Sequence, residues 1–407
     1  MMHLEKCKWF NGADSPVFFM IDDLANTWVD VNHNGIPDLE EDWGYCKNGE
    51  NSSFRYLNEQ ILRHFPQVKV TFFVPVGVRA GMSDHPVCRQ TSRPINADEE
   101  SRAFFRGIHR HPGYELAYHG TTHGRTGPNP EDFIQEWELF ESAEEALERT
   151  LEGISVYADA VGERPKGGKY CGYAGNDRSD ESIDRAGFIW WCRYWNRGAG
   201  DPAMKRISGG DPDPLTNYDI KRFGEGGVID IPSTVDGGLL NGIYRPEASL
   251  KGMAKRFLKT PLRRWKLREL DYLLENRLVI GIQEHISPAR DDGKRQSPNI
   301  FDDCGSLQAI FRYLEGKNVW YCTGSELADY VNLRDHVQVV TYPGEERMFT
   351  LEHESRYGNG GILSLKLDSS NPASILLPDG TAVRVTAGIA NLPVMKGEYF
   401  IREGEIR

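Results

Sequence analysis

Through roughly the first 330 residues, short apolar runs rich in β-branched and aromatic residues alternate with segments of helical spacing or Gly/Pro-rich loops. That alternation confines this part of the chain to the α/β class. Eight runs read as strands, near Val17 to Ile21, Val68 to Val76, Glu115 to Tyr118, Gly167 to Cys171, Phe188 to Cys192, Gly227 to Ile231, Leu278 to Ile282 and Asn318 to Cys322. A helix is expected after Asn129-Pro130, a cap residue and a first-turn proline, with Phe133, Trp137, Phe140, Leu147 and Leu151 as its core-facing stripe. After about Leu333 the pattern becomes short alternating runs (Val337 to Thr341, Phe349 to His353, Ile362 to Leu367, Ala382 to Val385) separated by Gly-Asn-Gly-Gly and Asp-Gly turns. The expected division is a large α/β domain over 1–334 and a small all-β accessory domain over 335–407, the latter for glycan contact or oligomerisation. The Gly-, Pro- and Asp-rich stretch 197–226 reads as a long functional loop.

Composition narrows the function by exclusion. A net charge of −12 over 407 residues argues against nucleic acid as a partner. No apolar run approaches the roughly 20 residues of a membrane-spanning helix. The opening Met-Met-His-Leu-Glu-Lys-Cys lacks the features of a signal peptide, so a cytoplasmic location is the expectation. Seven scattered cysteines without a Cys-x-x-Cys pair indicate neither a disulfide framework nor a structural zinc cage.

The chemistry-bearing residues fall at the ends of the candidate strands, where α/β folds deliver catalytic groups to one face. The first run ends in Asp22-Asp23, and since neighbours on a strand point to opposite faces, both reach one site only if the chain bends there. The third run ends in His119-Gly120-Thr121-Thr122-His123, and the seventh leads through Gln283-Glu284 to His285. Two imidazoles and a carboxylate with positions left open for water suit a catalytic zinc or another divalent transition metal such as cobalt, nickel or manganese.

In these motifs and their order, residues 14–330 resemble the polysaccharide deacetylases, the NodB-like carbohydrate esterases of family four. The resemblance implies a distorted (β/α)7-8 barrel. It also implies Asp22 as general base, with Asp23, His119 and His123 as metal ligands. Arg164-Pro165-Lys166-Gly167-Gly168 is similar to the family's third motif, which makes Arg164 the partner of the base and the Gly167 N–H an oxyanion donor. Ile229-Asp230-Ile231-Pro232 resembles the strand after the fourth motif, and His285 takes the place of the general acid. The implied activity is removal of an acyl group, acetyl foremost, from an amino sugar or sugar ester of a glycan or its precursor. The sequence departs from the family at Gly120, at Lys166-Gly167, and in Trp190 to Trp195, where no Asp stands to orient the acid histidine. Two alternatives are a non-catalytic glycan-binding protein on a decayed esterase scaffold and a hydrolase of a non-carbohydrate amide.

Three further features carry ligand expectations. Asp30, Asn32, Asn34, Asp38 and Glu41 stand at positions 1, 3, 5, 9 and 12 of a calcium-loop spacing with Gly35 at position 6, and the run resembles the loops of thrombospondin type-3 repeats. Residues 251–268 hold eight basic and no acidic residues, the pattern of a solvated helix face or of a contact with a membrane surface or an anionic glycan. Trp191 and Trp195 are candidates to stack on a sugar ring.

Overall fold

The structure is a computed structural model and describes residues 4–196, 216–244, 259–354, 360–367 and 373–403. Nine strands form one path in the α/β part: β1 (Ser15–Asp22), β2 (Val70–Val74), β3 (Tyr114–Tyr118), β4 (Gly167–Lys169), β5 (Trp190–Cys192), β6 (Lys221–Phe223), β7 (Val228–Asp230), β8 (Val235–Asp236) and β9 (Ile280–His285). Their spatial order is β6-β7-β5-β4-β3-β2-β1-β9-β8. Neighbours run parallel except β6, which is antiparallel to β7. Among the described residues the end strands β6 and β8 do not pair, and the expected barrel takes the form of a curled sheet open between them. Every residue of β1 and of β2 is buried, which is why both read as continuous apolar runs rather than as alternation. The last expected strand is Val319–Tyr321.

Side-chain size sets the spacing of the sheet at β4 and β5. Trp190 lies opposite Gly167 and Trp191 opposite Gly168. A Cβ on Gly167 would stand 2.0 Å from the Trp190 indole, and one on Gly168 would stand 2.3 Å from the Trp191 ring. The glycine pair is thus the complement of the tryptophan pair.

The expected helix after Asn129-Pro130 is corrected. That region forms 3-10 turns at Pro130–Asp132 and Glu136–Glu138, and the helix proper, Ala143–Val161, begins where the Ser142 side chain accepts the Glu145 N–H. Its buried face is Ala146, Thr150, Gly153, Ile154 and Tyr157, while Leu151 is exposed.

The chain divides into two units: Val17–Lys317 with Tyr321–Ser325, and Met1–Pro16 with Asn318–Trp320 and Glu326–Arg407. The β unit therefore differs from the expected 335–407 by taking in the N-terminal segment, whose strand Leu4–Lys6 pairs antiparallel with Ile362–Leu367. Its other sheet runs Gln338–Tyr342, Glu345–Glu352, Glu398–Glu403, Ala373–Leu376, Ala382–Arg384 in spatial order. Its core includes Phe349, Leu351, Leu363, Leu365, Ile375, Leu392 and Tyr399.

Of the long loop expected over 197–226, residues 197–215 lie outside the described residues, and the remainder holds a 3-10 turn and β6. Of the basic stretch, 251–258 lie outside them, and the rest opens the helix Lys259–Glu275, on which Trp265 is exposed. No helix among the described residues is long and apolar enough to cross a membrane.

Candidate active site

Parallel register brings Asp22 and His285 side by side at the C-terminal ends of β1 and β9. The strand stops at Asp22, and Asp23 takes a left-handed φ of 67°, the bend that lets two successive carboxylates face one site. His119 follows β3 directly, its N–H bonded to the Val74 carbonyl at 3.0 Å. His119 and His123 meet through a compact loop rather than a helical turn. Gly120 has φ 81° and His123 φ 70°, and the Glu136 carboxylate accepts the N–H groups of Thr121, Thr122 and His123, each at 2.8 Å. A Cβ at Gly120 would stand 2.5 Å from Glu136 Oε2, so the residue that departs from the family motif is the one this packing requires.

Asp23 Oδ1 lies 3.1 Å from His123 Nε2 and 3.7 Å from His119 Nε2. His119 Nδ1 stands 2.9 Å from the Lys169 carbonyl, which can only accept, so that nitrogen carries the proton and Nε2 presents a lone pair. Asp22 Oδ1 is buried and accepts no hydrogen bond among the described residues, and the buried Asp23 Oδ1 faces the two imidazoles. Bare oxygen and nitrogen lone pairs at contact distance are a donor set that a divalent cation reconciles, so Asp23, His119 and His123 fit the metal that the sequence motifs imply. The donor atoms of His119, His123 and Cys171 also fall within 4.8 Å of one another, a ligand candidate with no counterpart in the sequence-based set.

The cation at the base is not the expected one. Arg164 is exposed, precedes β4, and donates to the Ala186 carbonyl at 2.9 Å. Lys169, fully buried at the C-terminal end of β4, places Nζ 2.6 Å from Asp22 Oδ2 and 4.2 Å from the centre of the Tyr173 ring, and also bonds to Gln283. Gln283 Nε2 donates to the same Asp22 oxygen at 3.0 Å. Gly167 is likewise corrected: it opens β4 against Trp190, at the N-terminal end of the strand and not at the C-terminal end where an oxyanion donor belongs.

Burial alone would raise the Asp22 carboxyl, but the Lys169 ammonium, with His119 and His285, outweighs it and holds the group below the usual carboxylate range. Burial acts the same way on Asp23, where Arg79, bonded to Oδ2 at 3.0 Å, and His123 drive it well below. Burial pushes the His119 imidazole down to about 4, against the pull of Asp22 and Asp23. His285 is lowered by burial as well, with the same two carboxylates opposing.

His285 Nδ1 donates to the Pro298 carbonyl at 2.7 Å, and Nε2 lies 2.9 Å from the Gln296 amide. The backbone thus does the orienting for which the sequence offers no Asp. Asp230 is engaged elsewhere, with Arg193 at 2.8 Å. Trp191 is withdrawn as a sugar platform, since it is fully buried among Trp137, Tyr170 and Phe188. Trp195 is also buried, 6.0 Å from the Tyr173 ring. Asp30, Asn32, Asn34, Asp38 and Glu41 form a separate group, running from the last residue of the strand Thr27–Asp30 to the last of the 3-10 turn Leu39–Glu41.

Sequence reasoning missed Lys169, Gln283, Arg79 and Glu136. Lys169 and Gln283 carried a signal, Lys169 as a charged residue within a run read as a strand and Gln283 as the polar residue just past another. Arg79, from a loop, carried none.

No protein-family model and no curated protein matches the chain. Solved structures do. A Mycobacterium smegmatis protein assigned as a polysaccharide deacetylase is 16% identical, with 83% of this chain and 97% of that one covered and a TM-score of 0.45. The Puue allantoinase is 16% identical over 80% of this chain and 92% of its own, with a TM-score of 0.42. A CE4 family pseudoenzyme from Bacillus anthracis is 13% identical over 77% of this chain and 65% of its own, with a TM-score of 0.36. At such identities and TM-scores the likeness carries nothing about what this chain does.

Proposed function

We propose that the chain is a metal-dependent hydrolase that removes an acyl group, acetyl foremost, from an amino sugar or sugar ester. The observation that carries this is Asp22, ionised against Lys169, set between the Asp23/His119/His123 donors and His285.

A divalent transition metal bound by Asp23, His119 and His123 would acidify water and polarise an acyl carbonyl, and zinc suits two imidazoles, a carboxylate and a thiol close by. The protein's own groups supply the rest. Asp22 keeps Oδ1 free of hydrogen bonds to take a proton from water, while Oδ2 is anchored by Lys169 and Gln283. Lys169 keeps that carboxylate ionised and in place. Arg79 does the same for Asp23, leaving Oδ1 directed at the histidines. His285, on the strand beside Asp22, would act in its imidazolium form, with Nδ1–H kept on the Pro298 carbonyl and Nε2–H passed to the departing amine or alcohol, and the proton that Asp22 takes from water balances the one given up.

A non-carbohydrate amide is the second reading, because Trp191 and Trp195 are both buried and offer no open face for a sugar ring. The test is acetate release from N- and O-acetylated oligosaccharides by zinc- or cobalt-loaded protein, run beside small N-acyl and cyclic amides. Turnover of acetylated sugars that is lost in Asp22→Asn is the expected result. Turnover of small amides alone would move the assignment to the second reading, and no turnover by fully metal-loaded protein would overturn both.

A further inference from the structure

The loop from Asp30 to Glu41 serves none of the chemistry above, yet its polar side chains are hydrogen-bonded within the loop. Asp30 is 6% exposed, its Oδ2 accepts the Gly35 N–H at 3.1 Å, and its Oδ1 is buried with no hydrogen-bond partner among the described residues. An isolated buried carboxylate oxygen is costly unless a cation or donor meets it. Glu41 is 5% exposed, and its two oxygens accept one N–H each, from Asn32 at 2.9 Å and Asp38 at 3.1 Å. Those bonds point the carboxylate into the loop and leave each oxygen a lone pair. Asn32 Oδ1 and Asn34 Oδ1 each accept a single N–H, from Asn34 at 3.0 Å and Ile36 at 2.8 Å. Asp38 Oδ2 collects the amides of Asn32 and Asn34, at 2.6 and 3.0 Å. His33 and Gly35, with φ of 60° and 78°, fold the backbone around these groups.

Both ends of the loop are tied to the site. On one side Trp43 N–H bonds the Thr27 carbonyl at 3.0 Å and Ala25 N–H the Trp43 carbonyl at 2.8 Å, next to Asp23. The Trp43 ring carries the Arg79 guanidinium at 4.8 Å, and Arg79 holds Asp23. On the other side the Glu40 carbonyl accepts from Ser287 at 3.0 Å, and the Glu40 carboxylate pairs with Arg295 at 2.8 Å, in the segment that follows His285.

We propose that Asp30, Asn32, Asn34, Asp38 and Glu41 bind one calcium ion, and that the ion braces the Asp22-Asp23 bend and the segment after His285 against each other. Three carboxylates and neutral amide oxygens on an open rim suit a large, hard cation of flexible coordination, and Mg2+, which demands a smaller octahedron, binds more weakly. The bracing role rests on the hydrolase reading, whereas calcium binding does not.

Full-length protein stripped with EGTA is titrated with calcium chloride by calorimetry, and amide hydrogen exchange is followed by mass spectrometry with and without the ion. One saturable calcium site per chain is expected, weakened about tenfold or more in Asp30→Asn, in Glu41→Gln and in the solvent-exposed Asn34→Ala. It is expected to be unchanged in His119→Ala/His123→Ala, which separates it from the transition-metal site. Calcium should slow exchange both in 24–43 and in 286–296. Absence of uptake by folded wild type at about 1 mM calcium, or equal affinity in all three loop variants, overturns the site. Binding that leaves exchange in 286–296 unaltered overturns the brace.

Discussion

A lysine with no exposure is tolerated only where its ammonium is paired, and Lys169 meets that condition through Asp22, Gln283 and the Tyr173 ring. Removing it acts on Asp22 in a definite direction. The Asp22 carboxyl is held down by Lys169 against burial, so in Lys169→Met its pKa rises and the ionised base is populated only at higher pH. The acid limb of the kcat/KM profile should therefore shift upward, with activity at neutral pH down about 100-fold or more and bound metal retained. Arg164→Ala, at an exposed position, should leave activity unchanged and stability within about 0.5 kcal/mol. A pH–rate series and a thermal melt on both variants check this, and the opposite ranking would restore Arg164 to the site. The metal-ligand candidates were legible as residues because each follows an apolar run. The cation was not, because the Arg-Pro pair resembles a known motif while the position that matters is the end of β4 a few residues on.

At the scale of elements, the loop from His119 to Gly124 shows how a local pattern misleads. Glu136 belongs to an acidic, amphipathic stretch that reads as one continuous helix, but its carboxylate is drawn inward to accept three loop N–H groups, and the helix waits for Ser142. Tertiary demand on one side chain outweighs helical periodicity there. Burial raises the Glu136 carboxyl, with those N–H groups opposing. Glu136→Ala strands three donors, and we expect a loss of about 1–3 kcal/mol in stability with a roughly 10- to 100-fold weaker transition-metal affinity. Melting curves and a metal titration decide it; unchanged affinity would show that the loop holds its two histidines without this carboxylate.

Across the whole molecule, the α/β strands found from sequence are long or mostly buried with the exception of Val319–Tyr321, and their composition marks them without reference to partners. The edge strands Lys221–Phe223 and Val235–Asp236 are too short to carry a period. The assignment of Leu4–Lys6 to the β unit depends on a pairing with residues far along the chain, which local pattern does not encode. The central donor set is brought together by two separate segments, Asp23 after β1 and His119 with His123 after β3, each held by buried partners. Elemental analysis of wild type and of His119→Ala/His123→Ala, both purified without chelators, tests this most directly. The account predicts about one transition-metal ion per chain in the wild type and none in the variant, with calcium content equal in the two. Equal transition-metal content in both proteins, or none in wild type after reconstitution, would contradict it.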